Sequence, residues 1–467
     1  MIGSIIGAIS GFMYSKLLII MLLAVGLYFT VRTRFLQVRH FTEMIKVVGE
    51  KPENEDSVSS FQALMVSTAS RVGTGNIVGV ATAICMGGFG AVFWMWIIAF
   101  IGGASAFVES TLAQIYKRKR PDGSSYGGPS YYIEAALNSY GLGFVFAISM
   151  LLTYAGGFNM LCAYNLQSTF SAYSFYNPAV TPYIIGAVLA LIFGYCLLGG
   201  DDRIVKIAST LVPFMGVLYV IVALIVVVMH INLLPGVFAR IFAEAFDFKA
   251  IFGGFSGSAM MYGIKRGLYS NEAGCGSAPN AAAAADVSHP VKQGLVQTLS
   301  VFIDTLLLCT ATALMCLCSG VEPTEELAGA PYVQAALHAS LGNIGPIFIT
   351  VSMILFAFTT LIGNFYYMDN LLIYMHKGIP SDKFMFWFRI AGTIVVFIGS
   401  IASMGLLWDL ADVLMGVMAI INLPVICILG SKAMGALKDY EEQKSAGKNP
   451  VFKAEKVGLK GKVDFWQ

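Results

Sequence analysis

The chain has 467 residues, of which 57% are hydrophobic and only 12% charged, with a formal net charge of +2. Soluble domains carry about 25% charged residues, so this composition excludes an ordinary soluble fold. Apolar runs close to the ~20 residues that cross ~30 Å of hydrocarbon recur along the chain and leave no room for a separate soluble domain. The weak charge balance, with basic residues scattered in short loops, also excludes a nucleic-acid-binding face.

The N-terminal stretch MIGSIIGAISGFMYSK lacks a basic lead and a small-residue cleavage site, so the first apolar run is read as a retained helix. Spans are predicted near 14–31, 61–87, 89–116, 128–165, 180–198, 203–229, 250–268, 293–318, 345–374, 384–404 and 409–431, eleven in all. Arg32, Arg34, Arg39, Lys46 and Lys51 follow the first span, Lys117, Arg118, Lys119 and Arg120 the third, and Arg203 and Lys206 the fifth. Lys265, Arg266 and Lys292 are placed around the next loop on that side, then Lys377 and Lys383, with eight lysines beyond position 431. Loops of the other parity hold only Arg240 and Lys249, so the positive-inside rule puts the N terminus outside a cell membrane and the C terminus in the cytoplasm. The tail, 432–467, reads as a solvated end.

The second span breaks at its centre. Within FQALMVSTASRVGTGNIVGVATAICMGGFG, residues 71–76 combine Arg71, Thr74 and Asn76 with Gly73 and Gly75. Unpaired backbone in hydrocarbon costs several kcal/mol, so irregular chain survives at that depth only where protein or a water-filled cavity lines it. A second interruption is predicted at 253–263, GGFSGSAMMYG, five spans later. An odd number of crossings gives two five-span halves, 61–229 and 230–431, opposite orientations, preceded by 1–60 and followed by the tail. Glycines in membrane helices also serve close packing, and that alternative stands for the second segment.

Such breaks offer binding groups without full charges: amides at the start of an outer half-helix face an anionic group, while released carbonyls of the inner half receive a cationic one. On this basis Gly73, Thr74, Gly75 and Asn76, with Gly254, Ser256, Gly257 and Ser258 of the second segment, are assigned to substrate. Arg71 needs a partner at mid-membrane, for which Glu109, Asp304 and Asp369 are candidates; a gate and a structural pair both remain open. No HExxH or P-loop occurs, and the five histidines lie mostly in loops or near span ends, so neither an enzyme nor an ATP-driven pump is indicated. A channel ordinarily repeats its filter across subunits and needs no pair of broken helices. The eight cysteines lack paired spacing and read as small buried hydrophobes.

At 71–83 (RVGTGNIVGVATA) and 267–278 (GLYSNEAGCGSA) the sequence resembles the alanine or glycine:cation symporter family, sodium:alanine symporters included. The likeness extends to 26–39, 127–135, 206–219, 289–295 and 408–420, and so covers nearly the whole chain. It implies an all-α polytopic fold with one leading helix before a leucine-transporter-type core of two inverted five-helix repeats. It also implies symport of a small neutral amino acid with Na+, or with a proton in some members, and no obligatory protein partner. Under that resemblance the carbonyls of Ala69, Val72 and Phe356 and the hydroxyls of Thr359 and Thr360 hold Na+; back-bonding within the helix is the other fate open to these threonines. Asn364 falls at a pocket-lining position where many members have Trp, which leaves room for serine or glutamine beside alanine or glycine. Phe158 is an aromatic wall or a packing residue. Asn271 and Glu272 are placed on a cytoplasmic loop, in inner gating rather than ligation.

Overall fold

The computed structural model describes residues 2–52, 57–120, 123–246, 258–459 and 463–466. Helix α1 (Gly3–Arg32) leads. A pair of half-length helices follows, α2 (Ser60–Arg71) and α3 (Gly75–Gly87), then α4 (Gly90–Ile115), α5 (Tyr140–Ala172), α6 (Thr181–Leu197) and α7 (Gly200–Met229). A second such pair, α8 (Ala259–Asn271) and α9 (Pro279–Ala284), precedes α10 (Pro290–Leu317), α11 (Ile344–His376), α12 (Asp382–Ile401) and α13 (Met404–Ser445). Eight helices among the described residues are long and apolar enough to cross a membrane. The strands Arg118–Lys119 (β1) and Ser125–Tyr126 (β2) form one short antiparallel hairpin.

Polarity is distributed as a bilayer requires. Leu191 and Ile20 are 73% and 67% exposed, whereas the carboxylates of Glu109 and Asp304 are fully buried. Lipid rewards apolar surface, and backbone groups are satisfied within helices, so a polar interior wrapped in leucine and isoleucine is stable there and nowhere else. Helix α4 runs through the middle against α1, α8 and α10. Its small residues permit that approach: Gly102 faces Ala273, and Gly103 faces Phe302 and Thr298. Polar caps mark several helix starts, with a Ser59–Gln62 capping box on α2 and the side chains of Ser258, His289 and Ser381 accepting from the first turns of α8, α10 and α12.

Three expectations are corrected. The predicted span 128–165 contains two elements, because Asn138 adopts φ 49° after the short helix Pro129–Leu137 and Ser139 caps a new one at Tyr140. The seventh span begins at Ala259 and runs past 268, so Lys265 and Arg266 lie inside α8 and not at the end of the molecule that holds the tail. Lys265 Nζ reaches Asp412 Oδ2 at 2.7 Å, and Arg266 donates to both Asp412 oxygens at 3.2 and 3.1 Å and stacks 3.9 Å over Trp408. Lys292 pairs at the opposite end, with Glu50 at 2.6 Å and Asn449 at 3.0 Å. Counting charge alone cannot separate cations neutralised in the core from cations that face water.

The tail is not a solvated end. Phe452, Ala454, Leu459 and Val463 are buried; Phe452 N donates to Ser288 O at 2.9 Å, Trp466 Nε1 to Gln114 O at 2.7 Å, and Lys117 Nζ lies 3.9 Å over the Phe465 ring. A few apolar residues among many lysines give no periodicity in the sequence, yet they suffice to dock the segment on the ends of α4 and α10.

Candidate functional site

The first interruption is built by one side chain. Helix α2 stops because Val72 turns extended, φ −73° and ψ 90°, and the Gly73 amide leaves the helix to donate to Asn76 Oδ1 at 2.8 Å. That diversion releases the Ala69 carbonyl, which an uninterrupted helix would pair with the residue-73 amide. Gly73 lies against the Thr360 side chain so closely that a Cβ there would strike its hydroxyl. Thr360 Oγ1 is buried and without a partner among the described residues, while Thr359 Oγ1 back-bonds to Leu355 O at 3.0 Å and Phe356 O at 3.1 Å.

The predicted second interruption at 253–263 is described only from Ser258 onward. Gly254, Ser256 and Gly257 lie outside the described residues, and Ser258 caps the start of α8, accepting from Met261 N at 3.2 Å. Gly263 is helical and packs on Ala91 and Trp94, as close packing would have it. Among the described residues the chain unwinds between Asn271 and Pro279. Glu272 enters the left-handed region at φ 53°, and Gly274 and Gly276 follow at φ 84° and 85°, where glycine alone is unstrained. Glu109, on α4, accepts from Gly274 N at 3.2 Å, Gly276 N at 3.1 Å and Asn422 Nδ2 at 2.8 Å, and Tyr132 donates to Asn422. Asn271 and Glu272 are thus buried at the break rather than exposed on a loop, with Ser277 Oγ donating to Glu272 Oε2 at 2.6 Å.

The two breaks meet where α3 packs on α8. Asn76 Nδ2 donates to Asp304 Oδ1 at 2.7 Å and to Ser270 Oγ at 3.2 Å, and Asp304 Oδ2 also accepts from Ser270 at 2.7 Å and Thr305 at 2.8 Å. In this conformation the Asn76 carboxamide is therefore held by protein groups on both of its ends. Arg71 is buried, with Glu109, Glu272 and Asp304 within its electrostatic reach; its Nη1 donates to Gln297 O at 3.5 Å, and Nε and Nη2 have no hydrogen-bond partner among the described residues. Two of its three expected partners are thus nearby. Asp369 is not, lining a separate cavity of about 530 Å³ with Arg120 and Arg389.

The remaining candidates converge on the first break. Asn165 Nδ2 donates to Thr74 Oγ1 at 3.1 Å. Phe158 joins an aromatic run, with ring centroids 5.0 Å from both Tyr154 and Tyr269, and Tyr269 lies 4.9 Å from Trp408 and covers Gly75. Asn364 Oδ1 accepts from Ser70 at 2.6 Å and its Nδ2 donates to Asn159 at 2.9 Å. Residue-by-residue reading missed Ser270, Thr305, Asn159, Asn165 and Asn422. The available signals were an aspartate inside the apolar FIDTLLL run and two glycines at i and i+2 in NEAGCGSA.

The model of the sodium:alanine symporter family matches residues 1–454. The "Probable sodium/glutamine symporter GlnT" of Bacillus subtilis is 45% identical over 465 residues, 99% of this chain and 95% of that protein. The sodium/proton-dependent alanine carrier protein of Bacillus sp. PS3 is 39% identical over 442 residues, 91% of this chain and 97% of that one. Among solved structures, MhsT in complex with L-phenylalanine superposes with a TM-score of 0.58 at 14% identity over 89% of this chain and 97% of that one, a likeness of fold. The polytopic all-α fold is accordingly of the leucine-transporter type, and the chain is a multi-pass membrane transporter, not an enzyme. It belongs to the sodium:alanine symporter family.

Proposed function

We propose that the protein imports a small neutral amino acid together with Na+ by alternating access around its two interrupted helices. The observation that carries this reading is the meeting of both breaks at buried polar groups inside a membrane fold. In this reading α2–α3 and α8–α9 make one crossing each, eleven among the described residues, and the repeats 61–229 and 230–431 run in opposite orientations; the cations that follow α1, α4 and α6 argue for an N terminus outside the plasma membrane and a tail in the cytoplasm. The substrate carboxylate takes the positive end of α3, near Thr74 and Gly75, with Phe158 as a wall and Asn364 bounding the side-chain end. Na+ takes the Ala69, Val72 and Phe356 carbonyls and the two threonine hydroxyls. The released Ala69 carbonyl and the unpartnered Thr360 hydroxyl fit a hard monovalent cation that needs neutral oxygens and reversible binding.

Proteoliposome uptake of labelled alanine, glycine, serine and glutamine under an imposed Na+ or H+ gradient tests the reading. If neither gradient drives any of them, it fails. Thr359→Ala with Thr360→Ala is expected to weaken Na+ dependence more than protein abundance; unchanged Na+ dependence removes both residues from the ion site. Proton coupling is the second reading, favoured by three buried carboxylates at the breaks, Glu109, Glu272 and Asp304, and by the proton dependence in the name of the PS3 relative. Uptake driven by a proton gradient in Na+-free buffer distinguishes the two.

A further inference from the structure

One face of α5 carries Phe158, Cys162 and Asn165 at helical spacing and lies against the first interruption through Thr74. Asn159, one turn before Cys162, ends a chain of side-chain hydrogen bonds that starts where α2 stops. Ser70 Oγ donates to Asn364 Oδ1 at 2.6 Å, and Asn364 Nδ2 donates to Asn159 Oδ1 at 2.9 Å. There the chain stops, because Asn159 Nδ2 is fully buried and has no hydrogen-bond partner among the described residues. A buried amide left unpaired is costly, so a free amide edge beside Phe158 and Asn364 calls for a ligand group.

The chemistry of that group follows from the chain. Ser70 both donates and accepts, so turning both amides over reverses every bond and leaves Asn159 Oδ1 at the free end in place of Nδ2. The end therefore offers a donor or an acceptor without other rearrangement. A methyl or aliphatic side chain gains nothing from it. A carboxylate brings a charge to a place where the chain supplies only neutral partners. A hydroxyl or a carboxamide, which itself donates and accepts, is matched in either setting.

We infer that Ser70, Asn364 and Asn159 form the specificity element of the site and select neutral amino acids whose side chain ends in a hydroxyl or carboxamide over aliphatic ones of the same size. The inference rests on the chain being an amino-acid carrier. The test uses isosteric pairs: full-length protein in proteoliposomes takes up labelled alanine under a Na+ or H+ gradient, in competition with serine against α-aminobutyrate and asparagine against leucine. The polar member of each pair is expected to compete at about tenfold lower concentration, the discrimination of one hydrogen bond. In the size-matched double variant Asn159→Leu with Asn364→Leu that ratio is expected to fall to about one. Ser70→Ala, which removes the other end of the chain, is expected to shrink it in the same direction and serves if the double variant does not fold. Equal potency within both pairs for the wild type, or a ratio unchanged in the variants, overturns the specificity element while leaving transport standing. Absence of any gradient-driven uptake by the wild type overturns the transport reading and this one with it.

Discussion

Glu109 does for the second interruption what Asn76 does for the first: a side chain takes the amides that a helix would have paired with carbonyls. Because Glu109 accepts two backbone amides and the Asn422 carboxamide in a fully buried place, Glu109→Ala leaves three donors unmatched. Each unmade bond costs about 1–3 kcal/mol, so this variant is expected to melt far below the wild type in detergent; Glu109→Gln, which keeps one acceptor, is expected to lose less. Gly73 is the second sensitive residue. A Cβ at that position meets the Thr360 hydroxyl, so Gly73→Ala is expected to reduce Na+-dependent uptake well beyond any change in abundance, and uptake at wild-type level would show that the contact relaxes freely. Of these groups Asn76 and Gly73 were marked by residue type and spacing, Thr360 by the family resemblance, and Glu109 only as a candidate partner of Arg71. The hold of Glu109 on the second break, and Ser270, were not legible, because their partners lie far away in sequence and only tertiary packing brings them in.

At the scale of elements, the half-helices show what periodicity can and cannot find. The first break was visible because Arg71, Thr74 and Asn76 crowd into an apolar run. The second was sought at 253–263 by glycine density; residues 259–263 are helical, and among the described residues Gly274 and Gly276 carry the positive φ of a break. Ending the seventh span at 268 put Lys265 and Arg266 near the tail side. Their pairing with Asp412 instead joins α8 to the start of α13 beside Trp408. Removing one partner of a buried pair costs about 3–5 kcal/mol, here with two cations stranded. Asp412→Asn is therefore expected to lower thermal stability strongly, and Asp412→Glu less so; a melting point for Asp412→Asn equal to wild type would remove the pair from the structural account.

Over the whole molecule, the tail ties the end of α13 back to α4 and α10. His289 caps α10, packs 5.3 Å from Phe452, and faces Asp439 at 3.3 Å, with Lys292 and Lys456 also close. Burial, opposed by Asp439, lowers its pKa to about 4. The docked form thus binds fewer protons than the released form, where histidine titrates near its ordinary value of about 6.5. Docking is consequently firm above that value and weakens as pH falls from about 6.5 toward 4, by at most ~1.4 kcal/mol per pH unit. Limited proteolysis after α13 is expected to speed up across that window in wild type and to be flatter in His289→Gln; equal slopes would exclude His289 as the titrating group.

Composition and span length by themselves determined a polytopic all-α membrane protein, and the first break with its motif pointed to the family and to the neighbourhood of the proposed site, since both are local properties of residue type. The tertiary structure alone decided where the second helix opens, which carboxylates surround Arg71, which cations are neutralised inside and where the tail rests. Each of those depends on a partner from a distant helix; at Arg71 to Asn76 the bond from Gly73 to Asn76 is local, and the contacts to Asp304, Ser270 and Gln297 come from elsewhere in the fold.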